Sequence, residues 1–390
     1  MAHTKEALLE AIEQNADELF AVACDIYDHP EQGQEEYFAC NLLTQYLENK
    51  GFAVERGISG LETAFRAIWE RGTDGPSIGF LLEYDALRGM GHACGHHLQA
   101  PVCIGVALAL MECCQEPFKL VLYGTPDEEI FGGKIVMEKN GFFRDADVMF
   151  SYHTAAKTCV SDTNRALAPI RATFHGTPSH AAGSPEKGRS ALDAMMLAFH
   201  GLEIMREHVA DGCRIHYTVL EGTGASNIVH ETAKAHITLR SYDRRYLEDM
   251  LLRAENVVKG ACLMTGTTAD IERKNEYWNI IPVPSLQNAV LQAAEEIQPE
   301  AFSRQFSRSG GSSDVGNVSW VVPTVLVNSY YCNAAAHSAE WLDAGKTENA
   351  RNAMLSGTKI IALTAWKAIS DKALLETIRQ EHSRIIADTQ

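Results

Sequence analysis

The chain has 390 residues, too many for one ordinary hydrophobic core, and suits two domains. Its 34 Lys and Arg against 51 Asp and Glu leave a net charge of −17, which argues against nucleic acid or an anionic membrane surface as the main partner. No apolar run approaches a membrane span, the stretch Met1 to Ala11 lacks the basic-then-apolar order of a secretion signal, and the ten scattered cysteines suit a reducing compartment, so a cytoplasmic location is expected.

In chain order, Leu8, Leu9, Ile12 and Leu19 recur at helical spacing, and a second helix from about Glu35 stops near Lys50-Gly51. Short apolar runs then alternate with helix-like stretches. Ser77 to Tyr84 reads as a buried strand, Gly95 to Cys114 as a helix, and Phe118 to Gly124, Asp147 to Tyr152 and, much later, Thr324 to Tyr330 as further strands. Strands separated by helices of this length predict parallel pairing in an α/β layer. From about Ala168 the order changes to strand (Pro169 to His175), helix (Ser190 to His208), strand (Cys213 to Leu220), strand (Ala233 to Tyr242), helix (Leu247 to Met264) and strand (Thr268 to Arg273). That βαββαβ order is the split ferredoxin-like pattern of a small α+β domain. An inserted domain at 168–281 is therefore expected inside a discontinuous larger domain built from 1–167 and 282–390. The small-residue run Ser309 to Gly316 is either a flexible loop or a backbone cradle for a substrate.

The stretch His92-Ala93-Cys94-Gly95-His96-His97 places a thiol and an imidazole two residues apart, a ligand set that favours zinc and its neighbours over magnesium or calcium. In a parallel sheet, ligands collect beyond the carboxyl ends of strands. Glu83 and Asp85, then Glu128 and Glu129, then His153 all follow such ends. Of two adjacent carboxylates, one can bind metal while the other serves as general base on water. Taken singly, each residue has a plainer reading: a buried thiol, a solvated acidic turn, a satisfied core histidine. Together, Cys94, His96, His153, His337 and one carboxylate make five ligands, enough for two adjacent metals if one ligand bridges.

These residues, with Gly91-His92-Ala93-Cys94-Gly95-His96, Thr125-Pro126-Asp127-Glu128-Glu129 followed by Gly132-Gly133-Lys134, and Gly176-Thr177-Pro178-Ser179-His180-Ala181-Ala182, resemble the metallopeptidase and aminoacylase family M-20 over essentially the whole chain. The similarity is to its amidohydrolase branch, that of the hippurate, indole-acetyl-amino-acid and p-aminobenzoyl-glutamate hydrolases. The resemblance implies a zinc-peptidase-like α/β fold, a mixed and mostly parallel sheet sandwiched by helices, with the insert as a lid and homodimerisation domain. It implies two divalent metals, zinc foremost, with manganese, cobalt or nickel as alternatives, held by a shared Cys94 with His96, Glu129, His153 and His337. It further implies Glu128 as general base, Asp85 as the carboxylate that orients a ligand, and His180 as the oxyanion donor. Asn227, Arg240 and the glycines Gly310 and Gly311 are expected at the substrate.

The reading that follows is cleavage of an N-acyl amino acid or similar small amide by a metal-activated water. A metallo-dipeptidase, a catalytically silent binding module of the same fold, and a thiol protease built on Cys94 are the alternatives. The sequence departs from the branch at His97, Arg88 and Ile130-Phe131, all expected to border the substrate cleft.

Overall fold

The computed structural model describes residues 2–304 and 307–389 and divides into two compact units. The first comprises the chain up to Asn164, Ile280–Ser309, and Ser313 onwards. The second comprises Arg165–Asn279 with the tripeptide Gly310–Ser312.

The first unit is built on strands β1 (Ala53–Arg56), β2 (Phe65–Arg71), β3 (Ser77–Leu82), β4 (Phe118–Gly124), β5 (Val148–Ala155) and β6 (Cys159–Thr163). The second carries β7 (Ala166–His175), β8 (Arg214–Glu221), β9 (Thr232–Ser241) and β10 (Thr268–Arg273), and the chain returns to the first with β11 (Ser307–Arg308) and β12 (Thr324–Tyr330). The first unit's strands form one sheet in the order β1-β2-β4-β3-β5-β12-β6-β11. Its centre, β4-β3-β5-β12, is parallel as the sequence predicts, but β1 pairs antiparallel with β2, β2 with β4, and β6 with β12, while β11 returns to parallel pairing on β6. β1 and β2 lie at the sheet edge, where a short loop reverses the chain without a crossover helix.

Every residue of β3 is buried, the pattern of a strand covered on both faces. Phe80 and Leu82 face helices Gln99–Cys113 and Glu348–Ser370, whereas Leu81 on the other face packs with Phe143, Val315 and Val318. Successive strand side chains alternate faces, so one apolar run feeds two cores.

The second unit has the order β7, helix Ala191–Arg206, β8, β9, helix Arg244–Thr265, β10, and its sheet runs β10-β7-β9-β8, all antiparallel. The burial of β9 alternates strictly, with Ala233, Ala235, Ile237 and Leu239 packed against the two helices. The intervening Lys234, His236, Thr238 and Arg240 therefore belong to the opposite face. β8 is an edge strand.

Candidate metal centre

Parallel β4, β3, β5 and β12 are neighbours, so their carboxyl ends open on one rim, and four loops deliver side chains there. After β3, Gly95 takes φ +85°, and a Cβ at that position would come within 2.2 Å of the Thr154 Oγ1. Only glycine fits this reversal, which sets Cys94 and His96 on either side of one tight turn. After β4, Asp127 takes φ +59°, and near the end of the loop after β12, His337 takes φ +65°. Each left-handed residue costs about 1–3 kcal/mol and persists only where its surroundings fix it. Asp127 is fixed by Glu36, whose carboxyl oxygen accepts its N–H at 2.8 Å, and by the Gln34 Nε2, which donates to its carboxylate at 2.8 Å. The His337 N–H donates to the Ala93 carbonyl at 2.9 Å, which ties the fourth loop to the first.

The result is a cluster of potential ligands. Cys94, His96 and His153 form one group, Cys94, Glu129 and His337 a second, and His96, Glu128 and Glu129 a third, with ligand atoms inside each group within 4.8 Å of one another. The Cys94 Sγ stands 3.5 Å from the His153 Nε2 and 3.4 Å from the His337 Nε2, which is itself 3.6 Å from the Glu129 Oε1. Asp85 joins two of the loops: one carboxylate oxygen accepts from the His96 Nδ1 at 2.9 Å and the other from the Glu129 N–H at 3.1 Å. With Nδ1 so engaged, the His96 Nε2 is the ring nitrogen left to hold a metal. It is buried and, like the Glu129 Oε1, has no hydrogen-bond partner among the described residues. His153 is set the same way, its Nδ1 turned to the Thr154 carbonyl at 2.8 Å.

Orphaned buried acceptors converging on a thiol are costly without a cation and fit a metal centre. Electrostatics agree. Burial pushes the Cys94 thiol up to about 12, so its thiolate needs a cation beside it, which counts against an unaided thiol nucleophile. Burial opposes ionisation of Glu129, but the His337 contact and the His96 charge outweigh it and bring the carboxyl down to about 2. Burial, then Glu83 and Glu129, raise the Glu128 carboxyl well above the carboxylate range, the direction a general base requires.

Sequence reasoning named Glu83 at the end of its strand but missed the charges that pair with it. The Lys134 ammonium is fully buried and lies 2.6 Å from the Glu83 Oε1 and 2.7 Å from the Asp314 Oδ1. The Gln99 Nε2 donates to the second Glu83 oxygen at 2.5 Å, and that oxygen is 3.4 Å from the His96 Nε2. Glu83 is thus held by Lys134 and Gln99 beside a candidate ligand. The signal was the lysine closing Gly132-Gly133-Lys134, a residue type that is almost never fully buried unless paired.

The departures from the family pattern fall in different places. His97 does not border a cleft: it is buried, its Nε2 hydrogen-bonds the Gly345 carbonyl at 2.9 Å, and its ring meets the edge of Tyr27. It fills core between the helices, which corrects the expectation from its neighbours in sequence. The Arg88 Nε donates to the Gln32 side chain at 3.0 Å, and Ile130 and Phe131 are exposed beside Glu129.

Within the second unit, His180 is exposed, and its Nδ1 accepts the N–H groups of Ala182 and Gly183 at 3.2 and 3.0 Å. That fixes the tautomer with the proton on Nε2, free to donate. Asn227 is beside it, its carbonyl accepting the Ala181 N–H at 2.9 Å. Arg240 lies elsewhere: its guanidinium donates to the Ser312 Oγ at 3.0 Å, next to Gly310 and Gly311, whose carbonyls accept from Arg165. His180 and Asn227 lie in the loops beyond the Thr232 end of β9 and Arg240 sits towards the other end, with the strand between Thr232 and Arg240 about 26 Å long at ~3.3 Å per residue.

The sequence profile of peptidase family M20/M25/M40 matches residues 78–365. Among curated proteins, the chain is 33% identical to a Xaa-Arg dipeptidase of Mus musculus, covering 97% of this chain and 91% of that one. It is 29% identical to a component of the p-aminobenzoyl-glutamate hydrolase of Escherichia coli, covering 98% and 95%. Among solved structures, a putative aminohydrolase from methicillin-resistant Staphylococcus aureus superposes with a TM-score of 0.80 at 17% identity, over 94% of this chain and all of that one. A dinuclear metal binding peptidase of the M20 family from Bacillus subtilis gives 0.67 at 18% identity, over 90% and 99%. These likenesses show the fold.

Proposed function

The chain belongs to peptidase family M20/M25/M40 and is an amidohydrolase or peptidase of that family; from this premise we propose that it is a dinuclear enzyme cleaving the amide bond of an N-acyl amino acid or similar small amide. The observation that carries the reading is the pair of ligand groups that share Cys94, one completed by His96 and His153, the other by Glu129 and His337. Two divalent ions held there, zinc by the softness of the donor set, would supply Lewis acidity to the scissile carbonyl and a lowered pKa to water.

The protein's own groups do the rest. Glu128 takes the proton of the attacking water and hands it to the departing nitrogen, a task that suits a carboxyl raised by burial. Asp85 holds His96 in one tautomer and fixes the Glu129 backbone. The His180 Nε2–H donates to the oxyanion that develops on the carbonyl. Arg240 binds the carboxylate of the amino-acid half, Asn227 contacts the substrate, and Gly310 and Gly311 let it approach closely.

A small substrate cannot span the length of β9, about 26 Å from Thr232 to Arg240, that separates Arg240 from the loops carrying His180 and Asn227. This separation supports a homodimer in which one chain's His180 and Asn227 serve the site holding the other chain's Arg240. The free edge of β8, with Val219 and Leu220 half exposed, and Met196 and Ile204 exposed on the neighbouring helix, offer a surface for that pairing. The second unit would then act as lid and dimerisation domain. None of the ten cysteines forms a disulfide, and no helix among the described residues is long and apolar enough to cross a membrane; both support a cytoplasmic enzyme.

A dipeptidase is the second reading, favoured by the 33% identity to the mouse Xaa-Arg dipeptidase. Metal-loaded protein and its Glu128→Gln form, assayed for amine release on N-acyl amino acids and free dipeptides, test both. Turnover lost on chelation and in Glu128→Gln supports the hydrolase. Turnover of free dipeptides alone selects the dipeptidase, and stoichiometric metal without turnover of any compound favours the silent binding module.

A further inference from the structure

The second unit gathers positive charge at one end of its open sheet face. Arg214 on β8 stands directly opposite Arg240 on β9 in the register, and His216, two residues along β8, shares their face. The Arg165 guanidinium reaches the same end, donating to the carbonyls of Gly212 at 2.8 Å and Gly310 at 2.7 Å, while Arg240 donates to Ser312. None of Arg165, Arg214, Arg240 and His216 has a carboxylate within 4.0 Å among the described residues. Arginines elsewhere in the unit behave otherwise: Arg206 pairs with Glu203, and Arg273 with Glu248 and Glu255. Like charges directly opposite across two strands are destabilising, and here, among the described residues, they meet only neutral acceptors, Arg214 the Cys213 carbonyl at 2.7 Å and Arg240 the Ser312 hydroxyl, in a chain with a net charge of −17. The Arg240 Nε is also buried without a hydrogen-bond partner. Burial and the charges of Arg240, Arg206, Arg214 and Arg165 together hold the His216 imidazole below its usual range, which shows how closely the cations crowd.

Solvent screens part of this repulsion at the exposed Arg214 and His216, but Arg240 between them and the Gly310–Ser312 segment is only partly exposed, and a bound dianion would relieve the crowding. Arg240 alone accounts for one carboxylate. Arg214 and His216, on the adjacent strand about 5 Å away, supply donors for another. We propose that Arg214 and His216 extend the Arg240 site to bind a second carboxylate, so that the preferred substrates are N-acyl derivatives of dicarboxylic amino acids rather than of neutral or basic ones. This rests on the amidohydrolase reading for its link to catalysis, but the anion site itself does not. Arg165 braces the Gly310–Ser312 segment as a positioning residue.

The test is binding in the Glu128→Gln protein, where turnover does not interfere. N-acetyl-L-glutamate, N-acetyl-L-glutamine and N-acetyl-L-arginine are titrated calorimetrically. The expected result is at least tenfold tighter binding of the glutamate than of either other ligand. Arg214→Gln and, separately, His216→Gln should shrink that preference to within about threefold while leaving glutamine affinity unchanged, which also shows that each variant is folded. Equal affinities, tighter arginine binding, no detectable glutamate binding, or a preference that survives both substitutions would overturn the proposal. If glutamate is preferred but wild-type protein releases no amine from it, the anion site stands and the hydrolase reading falls.

Discussion

Lys134→Met removes the one cation that Glu83 and Asp314 share. The Nζ is 2.6 Å from the first and 2.7 Å from the second, and all three side chains are at most 2% exposed, so water cannot replace it. Breaking a buried ion pair by deleting one partner costs about 3–5 kcal/mol, because the remaining charge is stranded. Here two carboxylates are stranded, but they need not both stay ionised. Burial already holds Asp314 up to about 6, so it takes a proton, and its contact with the Lys134 backbone N–H at 3.0 Å survives the substitution. Glu83 keeps the Gln99 amide. The expected loss is therefore about 4 kcal/mol at neutral pH, near the middle of the range for one pair. Urea denaturation of the metal-free proteins measures it, and adding Asp314→Asn to Lys134→Met should return about 1–2 kcal/mol by removing one ionisable group. A loss below about 1 kcal/mol, or no recovery in the double variant, would refute the reasoning.

Two other predictions concern the loop braces and the assembly. Burial and the Asp85 charge push the Glu36 carboxyl up to about 8 from an ordinary 4.5, so the folded protein keeps a proton that the unfolded chain releases. Its contribution to stability is complete below about pH 4.5 and is lost as pH rises through about 8, a total of about 5 kcal/mol at ~1.36 kcal/mol per pH unit. Glu36→Gln keeps an acceptor for the Asp127 N–H and should flatten denaturation midpoints over that window; an unchanged slope would show that Glu36 is ionised in the fold. The double substitution Val219→Lys and Leu220→Lys on the β8 edge should convert a dimer to a monomer by light scattering, and an unaltered mass would place the interface elsewhere.

Much of the fold was legible because its signals are local. Phe118–Gly124, Thr324–Tyr330 and Thr268–Arg273 are bounded as the apolar runs and turn residues suggest. The helix expected over Gly95 to Cys114 begins only at Gln99, because Gly95 is left-handed and His96–Leu98 form a tighter turn that aims the His96 ring. The short strand Cys159–Thr163 went unread: polar Ser161 and Asp162 interrupt its pattern, and its partner Thr324–Tyr330 is far away in sequence. In the candidate site, Cys94 and His96 advertised themselves by spacing. Glu83 stood out only as a carboxylate at a strand end, and its partners Lys134 and Asp314 did not, since nothing in sequence relates three positions that only the fold brings together. His97 misled for the opposite reason: next to a candidate ligand in sequence, it faces the other way in space.

The most direct test of the dinuclear reading is metal content, measured by mass spectrometry on dialysed, zinc-loaded wild-type protein and on Cys94→Ala. A shared Cys94 predicts two ions per chain in the wild type and loss of both from the variant, because each ligand group loses its common member. One ion in the wild type, or one retained tightly after Cys94→Ala, would contradict it.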